Sequence, residues 1–174
     1  MAKTISKSKM TLVLDLPEMF GGPIESESLR NQIGQRAIDI ILDRTASGTA
    51  LGGGSFKGYS KAYKKSIPYR AFGKSGAVNL KLEGEMLGQL DITGESKDRI
   101  ELGWQDDTQR SKAFNHHNGD TLPKRPFFGL TSKEKGSIVD EFAETVTDLQ
   151  DAAKAEDTDE ANSIILGALK RLLG

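Results

Sequence analysis

His116 and His117 are the only imidazoles in the chain, and they are adjacent. A zinc site needs three or four ligands, and neighbouring helical residues do not face one another. Asp106, Asp107 and Asp120 lie close in sequence, but their spacing matches no metal-ligand pattern. The pair therefore reads as structural, an imidazole that caps or hydrogen-bonds a turn. Gly52-Gly53-Gly54 invites a phosphate-cradle reading, but that motif requires Gly-Lys-Ser/Thr opening a helix. Ser55-Phe56-Lys57 follows instead. No Gly-x-Ser-x-Gly elbow presents a serine nucleophile, and with no cysteine there is no thiolate chemistry and no disulfide. The expectation is a protein that is not an enzyme, with no catalytic residue, metal or cofactor.

Two other segments carry recognition chemistry. The first interleaves cations and rings. Lys57, Lys61, Lys64, Lys65, Arg70 and Lys74 lie among Phe56, Tyr59, Tyr63, Tyr69 and Phe72. Lysines can neutralise phosphates while rings stack on bases, so these six cations are candidate DNA-facing groups. Tyrosines are equally the usual anchors of protein interfaces, which makes Tyr59 and Tyr63 candidate interface residues. The second segment is Leu122-Pro-Lys-Arg-Pro-Phe-Phe-Gly-Leu130. Its two prolines fix φ and push Leu122 and Arg125 toward extended geometry. Phe127 and Phe128 are then presented on a stiff elbow that either plugs the chain's own core or anchors a neighbour. Arg125 can span a carboxylate with two parallel hydrogen bonds. Arg125, Phe127 and Phe128 complete the interface candidates.

Hydrophobic period supplies the elements that must hold these residues. Met10 to Leu16 alternates and reads as a strand ended by Pro17. Leu29, Ile33, Ala37, Ile40 and Ile41 predict a helix from about Glu27 to Arg44, capped by Ser26 or Ser28. Residues 47–55 read as a flexible glycine connection, 59–66 as a short helix, and 69–77 as a basic loop. Residues 78–90 suit a short helix closing on a strand. Leu90 and Ile92 alternate, Thr93-Gly94-Glu95-Ser96 reads as a turn, and Arg99 to Trp104 as the return strand of a hairpin. One or two helical turns are expected over Ser111–His117. Thr131-Ser-Lys-Glu134 fits a capping box opening a helix with Ile138, Phe142, Val146 and Leu149 inward, and a last helix carries Ile164, Ile165, Ala168, Leu169 and Leu172. The pattern implies an α+β fold, a small antiparallel sheet with packed helices and a helical C-terminus. We divide it as a single domain over 1–155 and a C-terminal helix over 156–174.

At 174 residues the chain is long enough for one core. Its formal charge of −1 is unevenly spread. Lys57 to Lys81 holds seven bases and no acid, whereas 131–174 holds ten acids against five bases. One end of the chain could thus attract the opposite end of another copy, although solvated faces would look the same. The N-terminus lacks the apolar run of a signal peptide, and no stretch approaches the ~18 apolar residues of a membrane span. No membrane contact is expected.

Four segments together resemble the bacteriophage virion-morphogenesis family of tail-completion or head–tail joining proteins. They are Tyr59-Ser60-Lys-Ala-Tyr63, then Leu80-x-Leu82-x-Gly84-x-Met86, then Ala113-x-x-His116-x-x-Gly119, and then Pro123-Lys-Arg-Pro-Phe-Phe-Gly129 before a helix. They fall in the family's order over 56–142, with Glu83 where the family usually has threonine. The resemblance implies a structural subunit of the phage neck or tail top, assembled in the host cytoplasm and located in the virion. It implies a homo-oligomeric ring, with six copies the expected number. Portal or connector and tail-tube or tail-terminator proteins would be its neighbours, and contact with phage DNA would be transient. Glycine loops that order on docking would serve such a ring. The alternative from the residues themselves is a nucleic-acid-binding module using residues 57–81.

Overall fold

The computed structural model describes residues 10–71, 73, 78–80, 84–119, 122–154 and 158–173. Lys74, Phe72, Lys81, Leu82, Glu83 and Asp120 lie outside them. The fold is α+β: a three-stranded antiparallel sheet of order β1-β3-β2, covered by helices. Strand β1 (Leu12–Asp15) pairs with β3 (Arg99–Gly103), and β3 pairs with β2 (Asp91–Ser96). Leu14 faces Ile100 and Leu12 faces Leu102 in the register, so the alternating apolar sets fall on one side of the sheet. Leu14, Leu16, Ile100 and Leu102 are all fully buried.

Two expectations about this sheet need correction. Pro17 does not merely end β1; it lies in the first turn of helix α1 (Leu16–Phe20), where its missing N–H is no loss. Asp15 caps that helix by accepting from the Glu18 amide at 2.9 Å. The turn expected at Thr93–Ser96 is also misplaced. Strand β2 continues through Ser96, and the register shifts between Ile92 and Gly94. The extra residue is a bulge, and the chain reverses at Lys97-Asp98.

Helix α2 (Glu27–Ala46) lies across the sheet and is capped by Ser26. Its inward stripe is Leu29, Ile33, Ala37, Ile38 and Ile41, with Ile40 only half-buried. Gly34 is the closest point of approach. A Cβ there would stand 2.7 Å from Ile92 Cδ1 and 3.2 Å from Ile100 Cγ2. The glycine lets helix and sheet meet without an intervening methyl.

Short helices α3 (Lys61–Lys64) and α4 (Ile67–Ala71) follow. The loop expected from Tyr69 is therefore helical up to Ala71. Pro68 sits in the first turn of α4, and the Ser66 hydroxyl accepts from the Tyr69 amide at 3.4 Å. Helix α5 (Glu85–Gly88) precedes the hairpin and buries Met86 and Leu87. Helix α6 (Asp107–Asn118) is longer than its hydrophobic pattern suggests, because its ends are fixed by polar caps rather than by an apolar stripe. Asp106 accepts from the Gln109 amide, and Gly119 takes the left-handed conformation at φ 77°.

Helix α7 (Ser132–Ala152) opens on the expected capping box, with both reciprocal bonds between Thr131 and Glu134 present. Ile138, Phe142 and Val146 face the core. Helix α8 (Thr158–Leu173) packs on α7 through Arg171, which pairs with Glu144 at 3.5 Å and with Asp148. Ala168 is buried there, whereas Ile165, Leu166 and Leu169 are exposed. Among the described residues no helix is long and apolar enough to cross a membrane.

Replacing Gly34 by Val forces α2 off the sheet. We expect a loss of about 1–3 kcal/mol, read as a lowered denaturation midpoint. An unchanged midpoint would show that Ile92 can yield freely.

Candidate functional site: the proline elbow and the arm it holds

Residues 122–130 form no regular secondary structure, yet Arg125, Phe127, Phe128 and Gly129 are buried. Buried backbone outside helices and sheets must find other hydrogen-bond partners, and three neighbouring segments supply them. His117 Nδ1, near the end of α6, accepts from the amides of Phe127 at 3.3 Å and Phe128 at 3.2 Å. The His116 carbonyl accepts from the Arg125 amide at 2.8 Å. From the last turn of α2, Arg44 donates to the carbonyls of Phe127 at 2.6 Å and Gly129 at 2.8 Å, and pairs with Glu134. The Leu51 amide donates to the Pro126 carbonyl at 2.7 Å.

The glycine connection thus has a defined job. Thr49 bridges Ser55, Gly52 to Gly54 all have positive φ, and Leu51 is held at the tip against Gly129. It is a closed turn tied to the elbow by its backbone, where a flexible link was expected.

The phenylalanines answer the alternative posed by the sequence. Phe127 is fully buried and Phe128 is 2% exposed, both in the chain's own core. Trp104 stacks on both, with centroids at 6.2 and 4.9 Å, and donates its indole N–H to the Met86 carbonyl. These two interface candidates are therefore internal plugs. The elbow can turn inward because Gly119 brings the chain back on itself. A Cβ at Gly119 would lie 2.7 Å from the Lys124 backbone nitrogen.

Arg125 is also buried, at 3% exposure. The carboxylate expected as its partner is not what it meets among the described residues. Its Nε donates to the Lys57 carbonyl at 2.8 Å and Nη2 to the Gly58 carbonyl at 3.4 Å, and its guanidinium lies 5.5 Å from the Tyr59 ring centroid. Two backbone carbonyls thus take the forked donor in place of a carboxylate. Burial lowers the Arg125 pKa against the pull of Tyr59 and Tyr63, and burial raises that of Tyr59, with Tyr63 adding to the rise.

Beyond this clamp, residues 57–71 form an arm. The three tyrosines of the chain, Tyr59, Tyr63 and Tyr69, form a triangle with centroids 5.2–5.6 Å apart. Sequence reasoning had Tyr69 among the rings but did not single it out. Among the described residues, none of their hydroxyls has a hydrogen-bond partner. Lys57, Lys61, Lys64, Lys65 and Arg70 lie on the same segment, exposed and without carboxylate partners among the described residues, with Arg70 donating to the Lys65 carbonyl. Ile67, at 79%, stands farther out than any other large apolar side chain described.

The histidines are held in neutral form. Burial drives both pKa values down to about 4, with Arg125 adding to the effect on His116 and Lys124 to that on His117. Glu134 is pushed upward by burial, but the Thr131 amide and hydroxyl and Arg44 outweigh this and lower it overall. No group of three potential metal ligands occurs among the described residues.

Comparisons with family models, with curated proteins and with solved structures return no match to this chain.

Two outcomes follow from this geometry. Free imidazoles protonate near 6.5 and these two near 4, so the unfolded chain binds more protons between those values. Stability should therefore fall as pH drops through that window, by on the order of 3 kcal/mol for each imidazole, and show no slope from these groups above about pH 7. In His117→Asn an uncharged oxygen stands near the accepting nitrogen, so denaturant titrations at several pH values should show a shallower acid decline. An identical slope in that variant removes His117 from the account. Phe127→Ala should cost about 3–5 kcal/mol, seen as a large drop in denaturant midpoint or as insoluble protein. A midpoint within error of the parent would contradict the internal plug.

Proposed function

We propose that the protein is a structural subunit of a bacteriophage particle, a tail-completion or head–tail joining protein acting as a ring of identical copies at the neck. The observation that supports this best is spatial. The segments resembling that family are far apart in sequence, yet they meet at one joint. Residues 57–59 are clamped by Arg125, the His116-His117 pair holds the elbow backbone, and Met86 takes the Trp104 indole over Phe127 and Phe128. Each motif residue named here performs a structural task, and together they root the arm on the domain through Arg125. An arm with an exposed isoleucine, and with cations and tyrosine hydroxyls that meet no carboxylate among the described residues, suits contact with a neighbour. In this reading portal-side connector and tail-side proteins cover the two faces of the ring.

The same exposed cations, without carboxylate partners among the described residues, favour a second reading, a nucleic-acid contact through Lys57, Lys61, Lys64, Lys65 and Arg70. The tyrosines count against a stacking platform, because they pack on one another and on Arg125.

Light scattering during size exclusion should find closed oligomers, or the chain should appear at the neck in a particle reconstruction. A protein that stays monomeric and is missing from complete particles would refute the proposal. DNA binding that weakens steeply as salt rises, in a protein that does not assemble, would favour the second reading.

A further inference from the structure

A groove of about 430 Å³ opens between the loop at residues 21–26 and the end of α7 with α8. Ile24, Val146, Leu149, Ala152 and Ile165 line it, and it is predominantly apolar. The groove itself carries one acid and one base, Glu25 and Lys154, but the helix on one side of it has an excess of acids. From Asp140 to Asp151 helix α7 carries five acids and no base. Arg36 pairs with Glu141, Arg171 with Glu144 and Asp148, and Lys154, itself on the groove's lining, with Asp151, so three bases meet five acids; Glu144 is still 78% exposed and Asp151 60%. Glu25, at the mouth of the groove, is 70% exposed and only loosely paired with Lys97 at 3.6 Å.

The arm is the physical converse of this surface. It carries five cations between Lys57 and Arg70 and no acid. Ile67 projects from its outer end with 79% of its surface in water. Exposing one large aliphatic side chain this fully costs little by itself. It stands at the start of a capped turn, on an arm whose lysines and tyrosine hydroxyls have no ion-pair or side-chain hydrogen-bond partner among the described residues, which gives it the form of an interface anchor with a polar rim.

We infer that the α3–α4 arm of one copy docks in the α7–α8 groove of the next, with Ile67 entering the groove and the arm's cations facing the acids of α7. This rests on the assembly reading above and names its contact. The two patches differ, so the contact is heterologous: each copy offers an arm to one neighbour and a groove to the other. Repetition of such a contact generates a ring if the rotation closes. The Arg125 clamp acts as a positioning device, fixing the arm's angle and hence whether the ring can close.

The chain has no cysteine, so engineered thiols report cleanly. Ile67→Cys and Ala153→Cys, made as separate full-length proteins and mixed, should form a mixed dimer with a short bis-maleimide, with far less self-linked product of either. The double variant should give a ladder of oligomers. Ile67→Asp should lose assembly, with at least a tenfold rise in the concentration needed for it. Its denaturation midpoint, read at a concentration where neither protein assembles, should not change, because the site is exposed. If wild type assembles but the mixed dimer fails to form and Ile67→Asp assembles normally, the arm–groove contact is wrong and the ring reading survives. A link formed only within one chain of the double variant means the groove takes its own arm, which also overturns the contact. Wild type that remains monomeric at every concentration and is absent from particles removes both.

Discussion

A nine-residue stretch of irregular backbone runs through the core, and every polar group it buries needs a partner brought from elsewhere. Regular structure solves this problem internally; an elbow with prolines at 123 and 126 cannot. The chain answers it with side chains and loop amides from three directions. His117 accepts two amides, Arg44 donates to two carbonyls, and Leu51 satisfies a third carbonyl. An unsatisfied buried group costs about 1–3 kcal/mol, so these contacts are strongly coupled to the folded state. They also explain why α6, the glycine turn and the end of α2 lie where they do. Each must deliver its group to the elbow.

The two histidines show how environment decides the use of a residue. A neutral imidazole nitrogen can accept, and a protonated one cannot. Burial, with Lys124 adding to it, keeps His117 neutral, so it serves as a fixed acceptor for two amides of the elbow. Arg44 and Arg125 are its counterparts. Both place a guanidinium fork on peptide carbonyls, and neither spends its charge mainly at the surface. A lysine in either position would supply a point charge with no planar fork.

Much of the frame was readable in the residues. The alternation at Met10–Leu16 and Ile100–Trp104, the stripe of α2 and the Thr131–Glu134 box all depend on local period and capping, and the structure contains them. Failures occurred where a local signal had two meanings. Gly94 marks a bulge as readily as a turn, and Pro17 opens a helix as readily as it closes a strand. Helix α6 has no apolar stripe to detect, because Ala113 is almost its sole buried apolar contact and polar caps define its ends. The site was half legible. Prolines announced a rigid elbow and a structural histidine was expected, but its direction could not be read, since inward and outward aromatics look alike in one dimension. Arg44 carried no signal beyond its place in a last helical turn. Its partners lie 83 to 90 residues away.

Rigidity at the joint bears on assembly through entropy. Ordering a mobile segment on binding opposes association by roughly 0.5–1.5 kcal/mol for each side chain immobilised. The arm is a poor candidate for self-sufficient order, with two helices of four and five residues and no fully buried side chain. Isolated helices of this length do not persist in water. Its order comes from the root, where Arg125 holds two consecutive carbonyls and the Tyr59 face, and Tyr59 passes that constraint to Tyr63 and Tyr69. On the assembly proposed above, a segment fixed in this way would meet a neighbour with its ordering already complete. The same design would let small changes at the root, remote from any contact surface, alter the angle between successive copies. In a ring that angle is multiplied around the circle, so the guanidinium at position 125 would govern closure more than the strength of any single contact.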